Sequence, residues 1–165
     1  MKLWNQNSKD KNSAIDHFLS SEDITLDQEL FLYDIEASIA HTHELEKINI
    51  FTKTEARKVI SSLKKLGKLF QTNKFKLTAK YEDCHSAIED FLTKELGSIG
   101  KKIHTGRSRN DQIIVAMRLY AREKLDEIQL INLKIAKAFL EKSEKHSSNP
   151  MPGYTHLQRA CLLYT

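Results

Sequence analysis

NDQIIVAMRLYAREKLDEIQLINLKIAKAFLEK, residues 110–142, decides the fold class. Ile114, Met117, Ala121, Leu125, Ile128, Ile131, Ile135 and Phe139 follow one another at steps of three or four, the spacing that keeps side chains on one face of an α-helix. No Pro or Gly interrupts the run before Ser143. A helix of about 35 residues reaches about 50 Å at the usual rise per residue. A rod that long leaves little of a 165-residue chain to cover its apolar face. The pattern therefore predicts a helical bundle completed by other subunits or by further sequence.

Upstream of the rod the same periodicity recurs in shorter pieces. Leu30, Tyr33, Ile35, Ile39, Ala40 and Leu45 predict a helix of roughly 20 residues from about Leu26. Thr52 with Glu55 forms a capping-box pattern, so a second helix is expected from Lys53, with Ala56, Val59, Ile60, Leu63 and Leu66 inward and Gly67 as its stop. A loop is expected over 71–80, then a third helix from about Tyr81 to Leu96 with Ile88, Leu92 and Leu96 inward and Gly97 ending it. Residues 1–20 and the basic segment from Gly97 to Arg109 read as irregular, SSNPMPG stops the rod, and no strand pattern or internal repeat stands out. The fold class is all-α. A small N-terminal helical domain over 1–105 leads into the start of a central helical bundle over 106–165.

Five Gly and two Pro are sparse punctuation, which suits long helices. Hydrophobic residues at 40% and charged residues at 29% describe a globular chain rather than a disordered one. The net charge of +4 is spread among acids, with no basic stripe for nucleic acid. Cys84 and Cys161 lack metal or redox spacing, so free thiols in a reducing compartment are expected. The polar start has no apolar signal core, and no stretch nears the ~20 apolar residues of a membrane span. The expected location is the cytoplasm.

Three constellations carry chemistry. His104 to Gln112, HTGRSRNDQ, puts Arg107 and Arg109 beside Ser108, Asn110 and the Gly106 backbone at a loop-to-helix junction. Guanidinium forks match carboxylates bidentately, and a helix start favours anions. A polycarboxylate belongs there. The structural alternative is a capped helix start, with Ser108 or Asn110 as the cap and solvated arginines. The second group, Gly153 to Gln158, sets Thr155, His156 and Gln158 together, able to bind a carboxylate and move a proton. Its alternative is a turn with an ordinary histidine. The third is Glu82-Asp83-Cys84-His85 with Glu89. No further ligand at metal spacing accompanies it, so no metal is expected. Asp83 and Glu89 are expected to orient His85 or to pair with the basic loop at 101–109. His41 and His43 read as packing or surface residues. P-loop, GxGxxG and GxSxG patterns are lacking.

Taken together these segments resemble the argininosuccinate lyases of the fumarase/aspartase superfamily. Lys2-Leu3-Trp4 is similar to that family's start, Tyr33 to His41 to its "DI-GS-AHA" helix, and Glu82 to His85 to its "EDxH". His104 to Gln112 matches HTGRSRNDQ outright, and Pro152 to Ala160 matches PGYTHLQRA. The nine-residue block is specific, since fumarases carry an SSxSND-type segment there and adenylosuccinate lyases a TSSxxxDN-type segment. The resemblance implies a three-domain all-α fold in which four subunits pool their long helices. It implies reversible elimination of fumarate from argininosuccinate to give arginine, in arginine biosynthesis, with no cofactor.

Carried over by position, the resemblance assigns the fumarate-side carboxylates to Arg109 and Asn110 with Ser108, and a substrate carboxylate to Thr155. His156 becomes the acid/base partner or orients one. Asp83 and His85 lie nearby as contacts or support, and Gln158 joins the binding set. The family's GSSxMPxKxN loop, which carries the proton-abstracting serine, has no counterpart in these 165 residues, and Cys161 to Thr165 replace a QPVTF-like continuation. Ser is frequent in the family at the place of Asp23, so no contact is carried there. The expectation is an N-terminal fragment, inactive alone, holding two of the three segments of a site shared between subunits. The competing expectation is a non-catalytic helical assembly module that oligomerises or complements a full-length homologue.

Overall fold

The computed structural model describes residues 23–78, 80–150 and 153–160. The irregular stretch expected over 1–20, and Cys161, lie outside them. Five α-helices follow in order: α1 (Asp23–Lys47), α2 (Lys53–Gln71), α3 (Cys84–Leu96), the single turn α4 (Ser98–Lys101) and α5 (Arg109–His146). A 3-10 turn, Lys102–His104, sits before α5, and two short strands, β1 (Gly153–Thr155) and β2 (Gln158–Ala160), close the described chain. The fold is all-α. Two compact units divide inside α5, at Arg122 and Glu123.

In the first unit α1, α2 and α3 pack pairwise around one core. Phe31, Ile35 and Leu45 of α1 meet Ala56, Val59, Leu63 and Leu66 of α2 and Ala87, Ile88 and Leu92 of α3, all buried. The connection from α2 to α3 is held down by aromatic contacts. Phe31 lies 4.4 Å from Phe70 and 5.7 Å from Phe75, ring centre to ring centre, and Phe75 lies 6.1 Å from Phe91. Such pairs add roughly 0.5–1.5 kcal/mol each beyond area burial.

The capping box of α2 is present: the Glu55 amide donates to Thr52 Oγ1 at 3.2 Å and the Thr52 amide to the Glu55 carboxylate at 2.9 Å. Gly67 does not end α2. It is buried within the helix, whose last residue is Gln71, and Ile35 packs 3.7 Å from where a Cβ would stand. Close approach to α1 is its use. The third helix begins at Cys84 rather than Tyr81, because Asp83 adopts an extended conformation and caps it. Gly97, at φ +60°, stops it as expected.

The expected apolar stripe of α1 needs correction too. Ala40 is exposed, while Asp34, Ser38 and Thr42, one turn apart, are fully buried. The segment from Gly97 to Arg109 is ordered into α4 and the 3-10 turn instead of forming an open loop. Among the described residues, no helix is long and apolar enough to cross a membrane.

The rod is present at 38 residues, about 57 Å long. Only Gln112 and Ala116 of it are buried. Ile114, Met117, Leu125, Ile128, Ile131, Ile135 and Phe139 are all exposed. Strands were not expected, yet β1 and β2 pair antiparallel, with Thr155 opposite Gln158. Three-residue strands are too short to display a period of two.

Candidate functional site

The loop before α5 is tied down at four points. Lys102 pairs with Glu55 at 2.8 Å and donates to the Ile50 carbonyl. His104 meets Glu89 at 3.1 Å. Nε2–H of His41 donates to the Thr105 carbonyl at 3.0 Å, and Arg107 Nη2 donates to Ser38 Oγ at 3.2 Å. These ties place HTGRSRNDQ against α1 and α3. Of the two partners foreseen for Glu89, the basic loop is the one it takes.

Ser108 is the cap of α5. Its amide and hydroxyl both donate to the Asp111 carboxylate, at 2.7 and 3.0 Å, which pulls the Asp111 carboxyl below the ordinary range. Asn110 is exposed in the first turn. Arg109 is ion-paired with Asp83 and lies 3.7 Å from Glu82. The two arginines thus differ in kind. Arg109 holds a carboxylate of the protein itself, whereas Arg107 is half-buried and its Nε meets no partner among the described residues. Burial lowers the pKa of Arg107, opposed by the charges of Asp34 and Glu89.

A cavity of about 130 Å³ beside Arg107 is lined by Ala37, His41, Asp111, Gln112 and Val115. Burial, then the Arg107 charge, lowers the pKa of His41 and favours its neutral form. His85 Nδ1 lies 2.6 Å from Asp34 Oδ2, and both side chains are buried. Cys84 Sγ is 3.9 Å from that carboxylate and 3.7 Å from the imidazole Nδ1, while the Cys84 amide donates to Asp27 at 2.8 Å. Burial, with the charges of Asp34 and Asp27, pushes the Cys84 thiol well above the usual range.

Asp34, Cys84 and His85 are all metal-ligand types and converge within 4.8 Å. Two ligands at zinc distances from one tetrahedral ion stand roughly 3.3 Å apart. The shorter imidazole–carboxylate separation is that of a hydrogen bond. Asp34 is the residue that sequence reasoning did not single out: in chain order it is one of seven acids in α1, and nothing local marks it as the buried one.

His85 and Asp83 also line a cleft of about 670 Å³ with Asp27, Glu29, Met117 and Tyr120. The structure therefore brings together Asp83, His85 and Arg109 of the expected set, with Ser108 and Asn110 flanking Arg109 on the capped turn. In the second unit, Thr155, His156 and Gln158 form the β1–β2 hairpin. His156 and Leu157 occupy its two turn positions at φ +50° and +61°, and both are exposed. Non-glycine residues there cost of order 1 kcal/mol each.

A lyase family profile, described as Lyase, matches residues 8–163 of this sequence. The chain belongs to the lyase family. Its sequence is 46% identical over 158 residues to argininosuccinate lyases of Xanthomonas euvesicatoria pv. vesicatoria and Xanthomonas axonopodis pv. citri. It is 45% identical over the same length to argininosuccinate lyase of Xylella fastidiosa. Each alignment covers 96% of this chain and 36–37% of the relative. This lyase sequence thus spans little more than a third of the length of the curated relatives it matches.

Proposed function

We propose that this chain supplies part of an argininosuccinate lyase-type site, for reversible elimination of fumarate from argininosuccinate with release of arginine, in cytoplasmic arginine biosynthesis. The observation that supports it best is the 46% identity across 96% of the chain to proteins of that name, with HTGRSRNDQ standing at the head of a 38-residue helix. Residues 1–105 act as the N-terminal helical domain and 106–165 as the start of the central bundle.

Elimination of this kind builds charge on a carboxylate, and donors held in place beforehand stabilise it. Arg109, Asn110 and Ser108 meet the fumarate-side carboxylates, Arg109 exchanging Asp83 for the substrate. Thr155 and Gln158 bind a second carboxylate, His156 handles a proton, and Asp83 and His85 support the site. The exposed apolar face of α5 packs into a homotetramer that shares its sites between subunits. These 165 residues hold no GSSxMPxKxN stretch, and the chain does not turn over unaided.

Two measurements test this. Incubation with argininosuccinate, followed by fumarate absorbance, gives no turnover with this chain alone; turnover would overturn the need for further segments. Titration with fumarate, followed by amide NMR, moves residues 106–112, and Arg109→Ala abolishes the shifts; silence in that segment would end the site assignment. The exposed α5 face also favours a second reading, a non-catalytic assembly module. Oligomers by light scattering without fumarate binding would select it, and a monomer would speak against self-assembly.

A further inference from the structure

The dyad of His85 and Asp34 joins residues 51 apart in sequence at 2.6 Å, with the imidazole 2% and the carboxylate 0% exposed. An ionised carboxylate can only accept, and facing one the ring nitrogen donates. Asp34 Oδ1 meets no donor among the described residues. The carboxylate is therefore held chiefly by the imidazole, with a weak thiol contact from Cys84 at 3.9 Å. Burying a carboxylate needs such a donor, and a histidine bonded at one nitrogen has its tautomer set at the other. Nε2 is left with only the Cys84 sulfur at 4.0 Å as a polar neighbour among the described residues. His85 belongs to the wall of the 670 Å³ cleft, beside Asp27 and Asp83.

We infer that Asp34 is a positioning residue that locks His85 as the Nδ1–H tautomer, leaving Nε2 as the ring's hydrogen-bond acceptor for a ligand in this cleft. The ligand that matches offers an N–H donor. The guanidinium side of the proposed substrate has such donors, and for that consequence the inference rests on the function proposed above. The tautomer itself does not.

The experiment is ¹⁵N NMR of the imidazole nitrogens in the full 165-residue chain, with His85 assigned through His85→Gln. Nδ1 is expected at the protonated position and Nε2 at the unprotonated one. Cys84→Ser is expected to leave that pattern unchanged, whereas Asp34→Asn, whose amide can donate, shifts it toward Nε2–H. A wild-type ring protonated at Nε2, or an Asp34→Asn spectrum identical to wild type, would overturn the inference. If Asp34→Asn does not fold, the wild-type spectrum still decides. Argininosuccinate is expected to move the Nε2 resonance while Nδ1 stays. An unmoved Nε2 with Nδ1 still protonated would reject the ligand contact separately from the lock.

Discussion

One carboxylate joins two helices: Asp83 Oδ1 takes the Ser86 amide at 2.7 Å to cap α3, and Oδ2 takes the Arg109 guanidinium at the head of α5. The same side chain starts one helix and neutralises the arginine proposed above to receive a carboxylate. Capping by a neutral amide is nearly as good as by a carboxylate. The two jobs can therefore be separated by substitution.

Asp83→Asn keeps the cap and releases Arg109. We expect a stability loss of about 1 kcal/mol or less by urea unfolding, the scale of a partly exposed ion pair, together with tighter fumarate binding by calorimetry. Asp83→Ala loses the cap as well, for about 1 kcal/mol more. Unchanged or weaker fumarate binding by a folded Asp83→Asn variant would remove Arg109 as a carboxylate receptor.

Acid sensitivity follows from Glu55. Its bond from Lys102, and then the Thr52 amide, lower its pKa from 4.5 to about 2 in the folded chain. A depressed carboxyl contributes stability that is complete above the unfolded value and is lost as pH falls toward the folded one. Denaturation midpoints should therefore drop between about pH 4.5 and pH 2, and Glu55→Gln should flatten that slope. An identical slope in the variant would show that Glu55 is not linked to folding.

Two glycines should respond oppositely to alanine. At Gly100 a Cβ would stand 2.4 Å from the Leu92 carbonyl oxygen, a backbone atom that cannot step aside. Gly100→Ala is expected to destabilise by roughly 1–3 kcal/mol, the range for overpacking. At Gly67 the nearest atom is 3.7 Å away on a side chain. Gly67→Ala should stabilise by up to about 1 kcal/mol, the helix-propensity difference. Thermal melts that rank the two the other way would contradict the packing described for α4 on α3.

The Cys84 thiol, buried and raised well above its ordinary range, should resist alkylation. Thiolate is the reactive form, and here it is scarce and covered. Peptide mapping after iodoacetamide is expected to find Cys84 unmodified in the native chain and fully modified in urea. Rapid native labelling would mean that the core around Asp34 opens.

Local rules were readable in the residues themselves. The Thr52–Glu55 box, the Gly97 stop and the uninterrupted rod are each set by near neighbours in sequence. A helix start, a left-handed stop and a 3.6-residue period need nothing distant. The HTGRSRNDQ block likewise announced a cluster of donors before any fold was known.

Pairing across the chain was decided only in three dimensions. That Asp83 takes Arg109, of the two roles foreseen for it, that Asp34 takes His85 and that Ser38 takes Arg107 depends on how α1, α3 and the loop before α5 pack. Gly67 reads as a stop until α1 is laid against it. The buried line of Asp34, Ser38 and Thr42 looks like an ordinary polar face until its partners arrive. Burial and hydrogen-bond satisfaction are properties of the surroundings, and spacing along a chain does not specify surroundings.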